Sequence, residues 1–390
     1  MKLTFSLFIL ALLFGCTSQQ KKTDTKELYW ATRFADATMH RADSLIYYLR
    51  DEPKYEYDYG LLGDAIYSLR KVDPKYGKYM KDYIDYFLHD DGKIDGQKTS
   101  DYNIDRVRPG NCMISLYEDY SDEKYKLGIE TLVNQMEGQP RTNSGGFWHK
   151  KIYPYQMWLD GLYMAEPFLV RYATVFDQPL WYDEATFQME EVYKHTLDSV
   201  SGLIYHAWDE SKQERWCQPE TGQSKHFWSR GTGWYMMALV DVLEFLPENH
   251  PERAKLIRIL NDLSTALIKV QDPETGLWYQ VLDMGGREGN YLEASGSAMI
   301  IYAFAKGAKM ELLDQSFLET ANTCFDSLIK NLVTEGDDGY PNLNNTVGGC
   351  GLGGNPYREA DYNYYITEKK VVNDPKGVGP LIMAAVELNK

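Results

Sequence analysis

The sequence is poor in basic residues for a chain of its length. Its 390 residues include 41 Lys and Arg against 57 Asp and Glu, which gives a formal net charge of −16 at pH 7. A large acid excess repels polyanions, so it argues against nonspecific binding to nucleic acid or to an anionic membrane surface. Taken alone, it also disfavours acidic substrates. The 44% of hydrophobic and 25% of charged residues are typical of a globular protein and exclude disordered and collagen-like chains.

Motifs for metals and nucleotides are also missing. The sequence contains no HExxH, GxSxG or Walker pattern, and its cysteines fit no CxxC pair or metal framework. We therefore expect no metal site and no cofactor, and we expect the four cysteines after Cys16 to be buried as apolar residues. The glycine-rich segment 348–354 neither follows an evident strand nor opens a helix. It indicates a tight loop beside a cleft rather than dinucleotide binding.

The N-terminus carries an apolar run over residues 3–14 that is too short to span a membrane and is typical of a signal peptide. The run ends at Cys16 in LFGC, which resembles the lipobox of bacterial lipoproteins. An ordinary secretory signal with an incidental cysteine is the alternative. We predict a signal peptide over 1–15, lipidation of Cys16 and a flexible tether over 16–26. The protein would then be exported, would touch the membrane only through its lipid anchor and would face the periplasm.

Linkers rich in proline, glycine or serine are absent beyond that tether, so residues 27–390 are expected to form a single domain. Helical periodicity dominates this region, and strand-like alternation is rare. Six times, at intervals of 50 to 83 residues, a small residue opens a strongly apolar helix. These opening residues are Gly60, Asn111, Gly161, Gly233, Gly296 and Gly379.

Each interval is long enough for the apolar helix, a turn and a second, amphipathic helix that returns. Helices that are apolar all round belong in the middle of a protein, whereas helices with a charged stripe belong outside. Six inner helices ringed by six outer ones make an (α/α)6 barrel, an all-α six-hairpin toroid with short extended segments in its loops. An irregular helical bundle with coincident spacing is the alternative. In the barrel, the N-termini of the inner helices surround one shared cleft, where their dipoles favour anions.

Residues suited to catalysis concentrate between positions 145 and 234. Asp160 stands among aromatic residues at the start of the third inner helix. It could cap that helix. Burial in apolar surroundings, which favours the neutral form of a carboxyl group, would also suit a general acid. The same region supplies His206, Trp228, Arg230 and Trp234. Because arginine binds carboxylates in a bidentate way and indoles cover the faces of sugar rings, this set suits an anionic sugar.

Several motifs follow one another in an order that identifies a family. They are HK at 149–150, WLDGLYM at 158–164, HAW at 206–208, WSRG at 228–231, GW at 233–234, GLWYQVLD at 276–283, NYLEASGSAM at 290–299, GLGGNPYR at 351–358 and NDPKGVGP at 373–380. The set resembles glycoside hydrolase family 105, the unsaturated rhamnogalacturonyl hydrolases, which are related to the family 88 unsaturated glucuronyl hydrolases. The resemblance covers nearly everything after residue 27.

This resemblance implies an (α/α)6 barrel with Asp160 as the general acid and base. Asp105 would match the family's second site carboxylate, which helps to position the sugar and water, although it could instead pair with Arg106 or Arg108. The resemblance further assigns substrate-binding roles to a set of mostly aromatic and cationic residues. They are Tyr57, His149, Lys150, His206, Trp228, Arg230 and Trp234. Trp234 could instead belong to the core, and Lys150 could be solvated.

The resemblance also implies an activity. The protein would release a terminal unsaturated galacturonyl residue from lyase-generated rhamnogalacturonan oligosaccharides, by hydration of the C4=C5 bond, in a pectin-degrading system. Alternatives are the same reaction on an unsaturated uronide from ulvan or a glycosaminoglycan, hydrolysis of a saturated glycan, and glycan binding without activity. The net charge is compatible with such an acidic substrate, because exposed charges farther apart than about 8 Å are largely screened at physiological salt.

Overall fold

Six helices line the inside of a ring in the computed structural model, which describes residues 25–390. They are α2 (Tyr57–Tyr67), α4 (Gly110–Tyr120), α6 (Leu159–Phe176), α8 (Ser229–Phe245), α10 (Ala294–Lys309) and α13 (Pro375–Asn389). Each contacts the next, and α13 contacts α2, so the ring closes. All six predicted opening residues lie within the first five positions of these helices. The prediction of six inner helices is therefore confirmed.

Six further helices pack around the outside. They are α1 (Lys26–Arg41), α3 (Pro74–Phe87), α5 (Glu123–Glu137), α7 (Leu180–Thr196), α9 (Arg253–Lys269) and α11 (Ser316–Leu332), while the short helix α12 (Tyr362–Thr367) lies in a loop. Outer α9 buries one stripe that includes Leu256, Leu260 and Leu263, whereas inner α10 is buried without a break from Ala294 to Ala308. This difference in patterning produces the two layers of the predicted (α/α)6 barrel.

The described strands are short and form three antiparallel pairs in the loops. They are β1 (Gln156–Trp158) with β2 (Ala207–Asp209), β3 (Val333–Glu335) with β4 (Pro341–Leu343), and β5 (Thr346–Val347) with β6 (Lys370–Val371). The first pair joins the segment that enters α6 to the loop between α7 and α8. It therefore ties together two of the loops that surround the N-terminal mouth of the ring.

The predicted signal peptide, Cys16 and most of the predicted tether lie outside the described residues, and they stay predictions. Helix α1 begins at Lys26, where Thr25 caps it by accepting a hydrogen bond from a backbone N–H. Lys26, the last residue of the predicted tether, is thus the first residue of α1. Within residues 25–390, no helix has the length and apolar character needed to cross a membrane.

The cysteines in the described part of the chain behave as expected of apolar residues. Cys112, Cys217, Cys324 and Cys350 are all buried, and none forms a disulfide. Burial raises the pKa of the Cys324 thiol to about 12, which leaves it neutral and unreactive at ordinary pH.

Candidate active site

The pairing of β1 with β2 brings the two central residues of the site together. Trp158 lies opposite Ala207, and the backbone N–H of Leu159 donates to the carbonyl oxygen of His206 at 3.1 Å. Asp160 follows β1 by two positions, and His206 directly precedes β2. The antiparallel register therefore places the two side chains side by side, with His206 Nε2 3.4 Å from Asp160 Oδ2.

Asp160 lies in the first turn of α6 but does not cap it. The N-cap position is Trp158, and Asp160 makes no side-chain hydrogen bond among the described residues. Its Oδ2 is shielded from solvent beside His206, yet 18% of the side chain is exposed. The expectation of burial among apolar groups is therefore wrong, because the β1–β2 pairing supplies a polar neighbour. One carboxyl oxygen is covered, and the other can face the cleft.

Asp105 occupies a 3-10 turn (Ile104–Val107) and is buried. Lys150 Nζ lies 2.5 Å from its Oδ2, and His149 Nε2 lies 3.4 Å from its Oδ1. Burial opposes ionisation, but the charge of Lys150 and, once its imidazole is protonated, that of His149 outweigh it, so the pKa of Asp105 is lowered. Asp105 is thus held as a carboxylate, and Lys150 is its ion-pair partner rather than a solvated side chain.

The two arginines that follow Asp105 pair elsewhere. Arg106 lies 3.3 Å from Glu56, and Arg108 lies 3.0 Å from Asp64. Pairing of Asp105 with either arginine, the alternative interpretation of the sequence, is therefore not observed.

His149 is buried against a layer of aromatic rings. Its ring stacks on Trp158 with centroids 4.7 Å apart, and Tyr153 stacks on Trp158 at 4.8 Å. Burial lowers the pKa of His149 to about 4, although neighbouring Asp105 acts to raise it. At neutral pH the imidazole is therefore uncharged. All three rings line the cleft, and aromatic rings can pack against the apolar face of a sugar.

Two guanidinium groups line the cleft without a carboxylate within 4 Å in the described part of the chain. Arg230, in the first turn of α8, is buried and donates to the carbonyl oxygen of Val347 and, at 3.4 Å, to Ser295 Oγ. Burial acts to lower its pKa, but Glu293 outweighs this effect and the pKa is raised. Arg358 donates to the carbonyl oxygens of Gly353 and Leu352 at 2.8 and 3.0 Å. Both cations are available to an anionic ligand.

These residues surround a cleft of about 240 Å³. Seven of the predicted site residues line it, namely Tyr57, Asp105, His149, Lys150, Asp160, Trp228 and Arg230. His206 lies behind Asp160 and is fully buried. Trp234 is also fully buried and stacks on Tyr163 at 5.1 Å, outside the cleft lining. The structure therefore places Trp234 in the core beneath the site, as the alternative interpretation expects.

Other cleft residues were not singled out from the sequence. The lining also contains Glu56, Tyr153, Trp158, Met164 and Arg358. It includes residues 349–351 as well, so the predicted role of the glycine-rich segment as a cleft border is confirmed. Arg358 lies in the motif GLGGNPYR, but nothing in the sequence indicates that its side chain turns back toward the cleft. Within residues 25–390, no group of three or more His, Cys, Asp or Glu side chains is arranged to hold a metal ion.

Comparisons with known proteins agree with the fold and show the family. The sequence model of Glycosyl Hydrolase Family 88 matches residues 30–390. A family 105 glycoside hydrolase structure from C. acetobutylicum superposes with a TM-score of 0.88 at 43% identity, covering 92% of this chain and 98% of that one. An unsaturated rhamnogalacturonyl hydrolase of Bacillus subtilis is 28% identical over 53% of this chain and 59% of its own length. An unsaturated 3S-rhamnoglycuronyl hydrolase of Formosa agariphila is 30% identical over 42% and 43%, respectively.

Proposed function

The chain belongs to glycosyl hydrolase family 88 and the related glycoside hydrolase family 105, and we propose that it removes a terminal unsaturated uronyl residue from lyase-generated oligosaccharides. The observation that carries the proposal is the placement of Asp160. Its carboxyl group lies on the cleft wall beside His206, in a cleft that also contains the unpaired cation Arg230. A proton donor and an anion-binding group thus share a space of the size of a sugar.

The chemistry begins at the C4=C5 bond of the terminal sugar, which is conjugated to the ring oxygen as a vinyl ether. Asp160 gives its proton to C4, where the π electrons form the new C–H bond, and the positive charge is shared by C5 and the ring oxygen. Water then adds to C5 and returns a proton to the Asp160 carboxylate. The resulting hemiketal opens and rearranges, which releases the next sugar. One carboxyl group therefore serves both proton transfers.

The other cleft residues suit the binding of this substrate. The guanidinium groups of Arg230 and Arg358 can bind the carboxylate of a uronate through charge-assisted hydrogen bonds. Asp105, held ionised by Lys150, can accept hydrogen bonds from a sugar hydroxyl or from the attacking water. The stacked layer of His149, Trp158 and Tyr153 can support the sugar ring.

We further propose that the released sugar is an unsaturated galacturonyl residue and that the parent polysaccharide is rhamnogalacturonan. The similarity to the Bacillus subtilis unsaturated rhamnogalacturonyl hydrolase supports this choice. A second candidate is the same reaction on another unsaturated uronide, such as one from ulvan. The similarity to the unsaturated 3S-rhamnoglycuronyl hydrolase of Formosa agariphila favours that candidate.

A panel of unsaturated disaccharides tests both proposals. Products of rhamnogalacturonan, ulvan and glycosaminoglycan lyases are incubated with the protein, and the absorbance of the enol ether is followed. We expect the fastest loss with the rhamnogalacturonan product. A faster loss of absorbance with another uronide would change the assigned substrate but not the assigned reaction. Tight binding by calorimetry without loss of absorbance on any substrate would contradict the activity and favour a glycan-binding protein.

A further inference from the structure

Tyr365 lies behind the candidate acid and does not line the cleft. It belongs to the short helix α12 and is fully buried, and its Oη lies 2.9 Å from His206 Nδ1. The carbonyl oxygen of Tyr365 accepts a hydrogen bond from Gln280 Nε2 at 3.0 Å. The side-chain oxygen of Gln280 in turn accepts from Trp228 Nε1 at 3.1 Å. Tyr365 is therefore fixed on the side of His206 that faces away from Asp160.

The phenol of Tyr365 is the hydrogen-bond donor in its contact with His206. Burial, reinforced by Cys350 and Tyr364, raises the pKa of Tyr365 well above its ordinary value, so the hydroxyl group keeps its proton. The only hydrogen-bond partner of Tyr365 Oη among residues 25–390 is His206 Nδ1. If Nδ1 carried a hydrogen of its own, the buried phenolic hydrogen would have no acceptor, which is unfavourable. Nδ1 is therefore the unprotonated nitrogen.

The remaining imidazole hydrogen then belongs on Nε2, which faces Asp160. Asp160 Oδ2 and His206 Nε2 are both shielded from solvent and lie 3.4 Å apart, and neither has a hydrogen-bond partner in the described part of the chain. A donor on Nε2 needs an acceptor, and a carboxyl oxygen without a hydrogen is one. The two atoms do not form a hydrogen bond in this geometry, and contacts between catalytic groups are often long or poorly aligned until the substrate binds.

We propose that Tyr365 is a positioning residue that holds His206 as its Nε2–H tautomer and thereby keeps the acidic proton of Asp160 on Oδ1, the oxygen that can face the substrate. The inference rests on the proposed function, because it concerns the proton that this reaction transfers. In the opposite tautomer, the bare Nε2 would accept a hydrogen bond from Oδ2. The acidic proton would then point away from the cleft, and its delivery to C4 would first require a rearrangement.

The tautomer can be measured without any substrate. The ¹⁵N chemical shifts of the imidazole nitrogens distinguish the two neutral tautomers and the imidazolium ion, and a His206→Gln sample identifies the signals of His206. We expect Nε2–H in the unaltered protein and a mixture of forms in Tyr365→Phe. An Nδ1–H tautomer or an imidazolium ion in the unaltered protein at neutral pH would overturn the proposal, whether or not the variant folds.

Turnover supplies the second readout. In Tyr365→Phe we expect kcat to fall by about tenfold, the lower end of the range for losing a group that orients a metal-bound histidine, while KM stays nearly unchanged. In the His206→Gln background the same change should have little further effect, because Tyr365 acts through His206. Equal losses with and without His206 would show a merely structural role and contradict the proposal.

Tyr235→Phe is the matched control. Tyr235 is also fully buried, and its hydroxyl group makes one hydrogen bond within residues 25–390, to the carbonyl oxygen of Met189 at 2.7 Å, away from the cleft. It should lose stability without a change in kcat, whereas a kcat loss equal to that of Tyr365→Phe would count against the positioning role. If no unsaturated uronide is turned over although His206 is the Nε2–H tautomer, the proposed function fails and the tautomer assignment stands.

Discussion

Two cavities in the ring are similar in size but differ in how their charges are paired. The cleft at the N-terminal mouth measures about 240 Å³, and a second cavity of about 180 Å³ lies toward the C-terminal halves of the inner helices. In the second cavity, Arg108 pairs with Asp64 at 3.0 Å, and Lys306 lies 2.6 Å from both Asp241 and Glu244. In the cleft, Arg230 and Arg358 have no such partner within the described residues.

The difference separates charges that hold the fold from charges that can bind a ligand. A buried cation that already has a carboxylate can accept an incoming anion only by leaving that carboxylate unpaired, which is costly. Arg358 is held by backbone carbonyl groups, and Arg230 is linked to Glu293 only through the Ser295 hydroxyl group, so neither cation has to give up a direct carboxylate partner. The volumes of the two cavities do not show which one binds a ligand. The cleft differs in having cations without a direct carboxylate partner.

Replacing the candidate acid should have the largest effect. General acid or base groups contribute about 10² to 10⁴-fold, and Asp160 is assigned to both proton transfers, so Asp160→Asn should lose close to 10⁴-fold in kcat. The fold should persist, because the side chain neither caps α6 nor forms another hydrogen bond in the described part of the chain. Initial rates from enol-ether absorbance and a thermal unfolding curve check both expectations.

The same substitution in the second cavity is the control. Asp64→Asn weakens the pair with Arg108, so it should lower stability and leave kcat unchanged. Near-normal turnover in Asp160→Asn would refute the role of Asp160. A large loss of turnover in Asp64→Asn, without unfolding, would remove the distinction between the two cavities.

Much of the ring could be predicted because its inner helices differ from its outer helices in every turn. A helix such as α10, buried on all sides, must be apolar throughout, and the small residue near its start permits close approach of a neighbour. At Gly296, for example, an added Cβ would lie 2.8 Å from the backbone of Ser229. These constraints are local and recur six times, so the inner helices can be recognised from the sequence.

Tyr57 and Asp105, which lie outside the long motifs, also line the cleft, but the sequence predicts most clearly those site residues that stand in long motifs. Asp160 and Arg230 do, whereas the contact between His206 and Tyr365 joins residues 159 positions apart and follows no periodicity. Trp234 lies in the second turn of the apolar helix α8, a position that fits a binding indole and a core indole equally well. Only the packing on Tyr163 decides between them.

Breaking a pair in the second cavity should affect stability rather than activity. Lys306→Met leaves the partly buried Asp241 without its cation, and removing one member of a buried ion pair costs about 3 to 5 kcal/mol. We expect a lower midpoint in guanidinium unfolding with unchanged kcat and KM. The double variant Lys306→Met with Asp241→Leu should recover part of the loss. Impaired turnover at full stability would show instead that the second cavity takes part in function.

The cleft, unlike the second cavity, is lined by a histidine, His149. The contribution of this residue to the free energy of unfolding should depend on pH. The pKa of His149 is about 4 in the folded protein and 6.5 as its ordinary value. Between these values the unfolded chain binds a proton that the folded protein does not, so the free energy of unfolding should fall as the pH drops from 6.5 to 4. The fall attributable to His149 is on the order of 3 kcal/mol.

Denaturant unfolding at several pH values measures this slope, and His149→Gln should flatten it. Asp105 acts in a different window. Its lowered pKa stabilises the folded state above the ordinary value of 3.8, and that contribution is lost at lower pH. An equal slope with and without His149 between pH 6.5 and 4 would show that the imidazole is not held neutral in the cleft.

The smallest expected effect concerns the cation that the sequence did not reveal. If Arg358 binds the substrate because no carboxylate competes for it, Arg358→Gln should raise KM by about tenfold, the lower end of the range for a hydrogen bond to a charged group, with little change in kcat. Arg215→Gln is the control, because Arg215 is exposed and already paired with Glu359 outside the cleft lining. It should leave KM unchanged. Equal KM values for the two variants would show that Arg358 does not bind the substrate, although no carboxylate pairs with it. Arg230 would then be the one cleft cation of this kind still assigned to substrate binding.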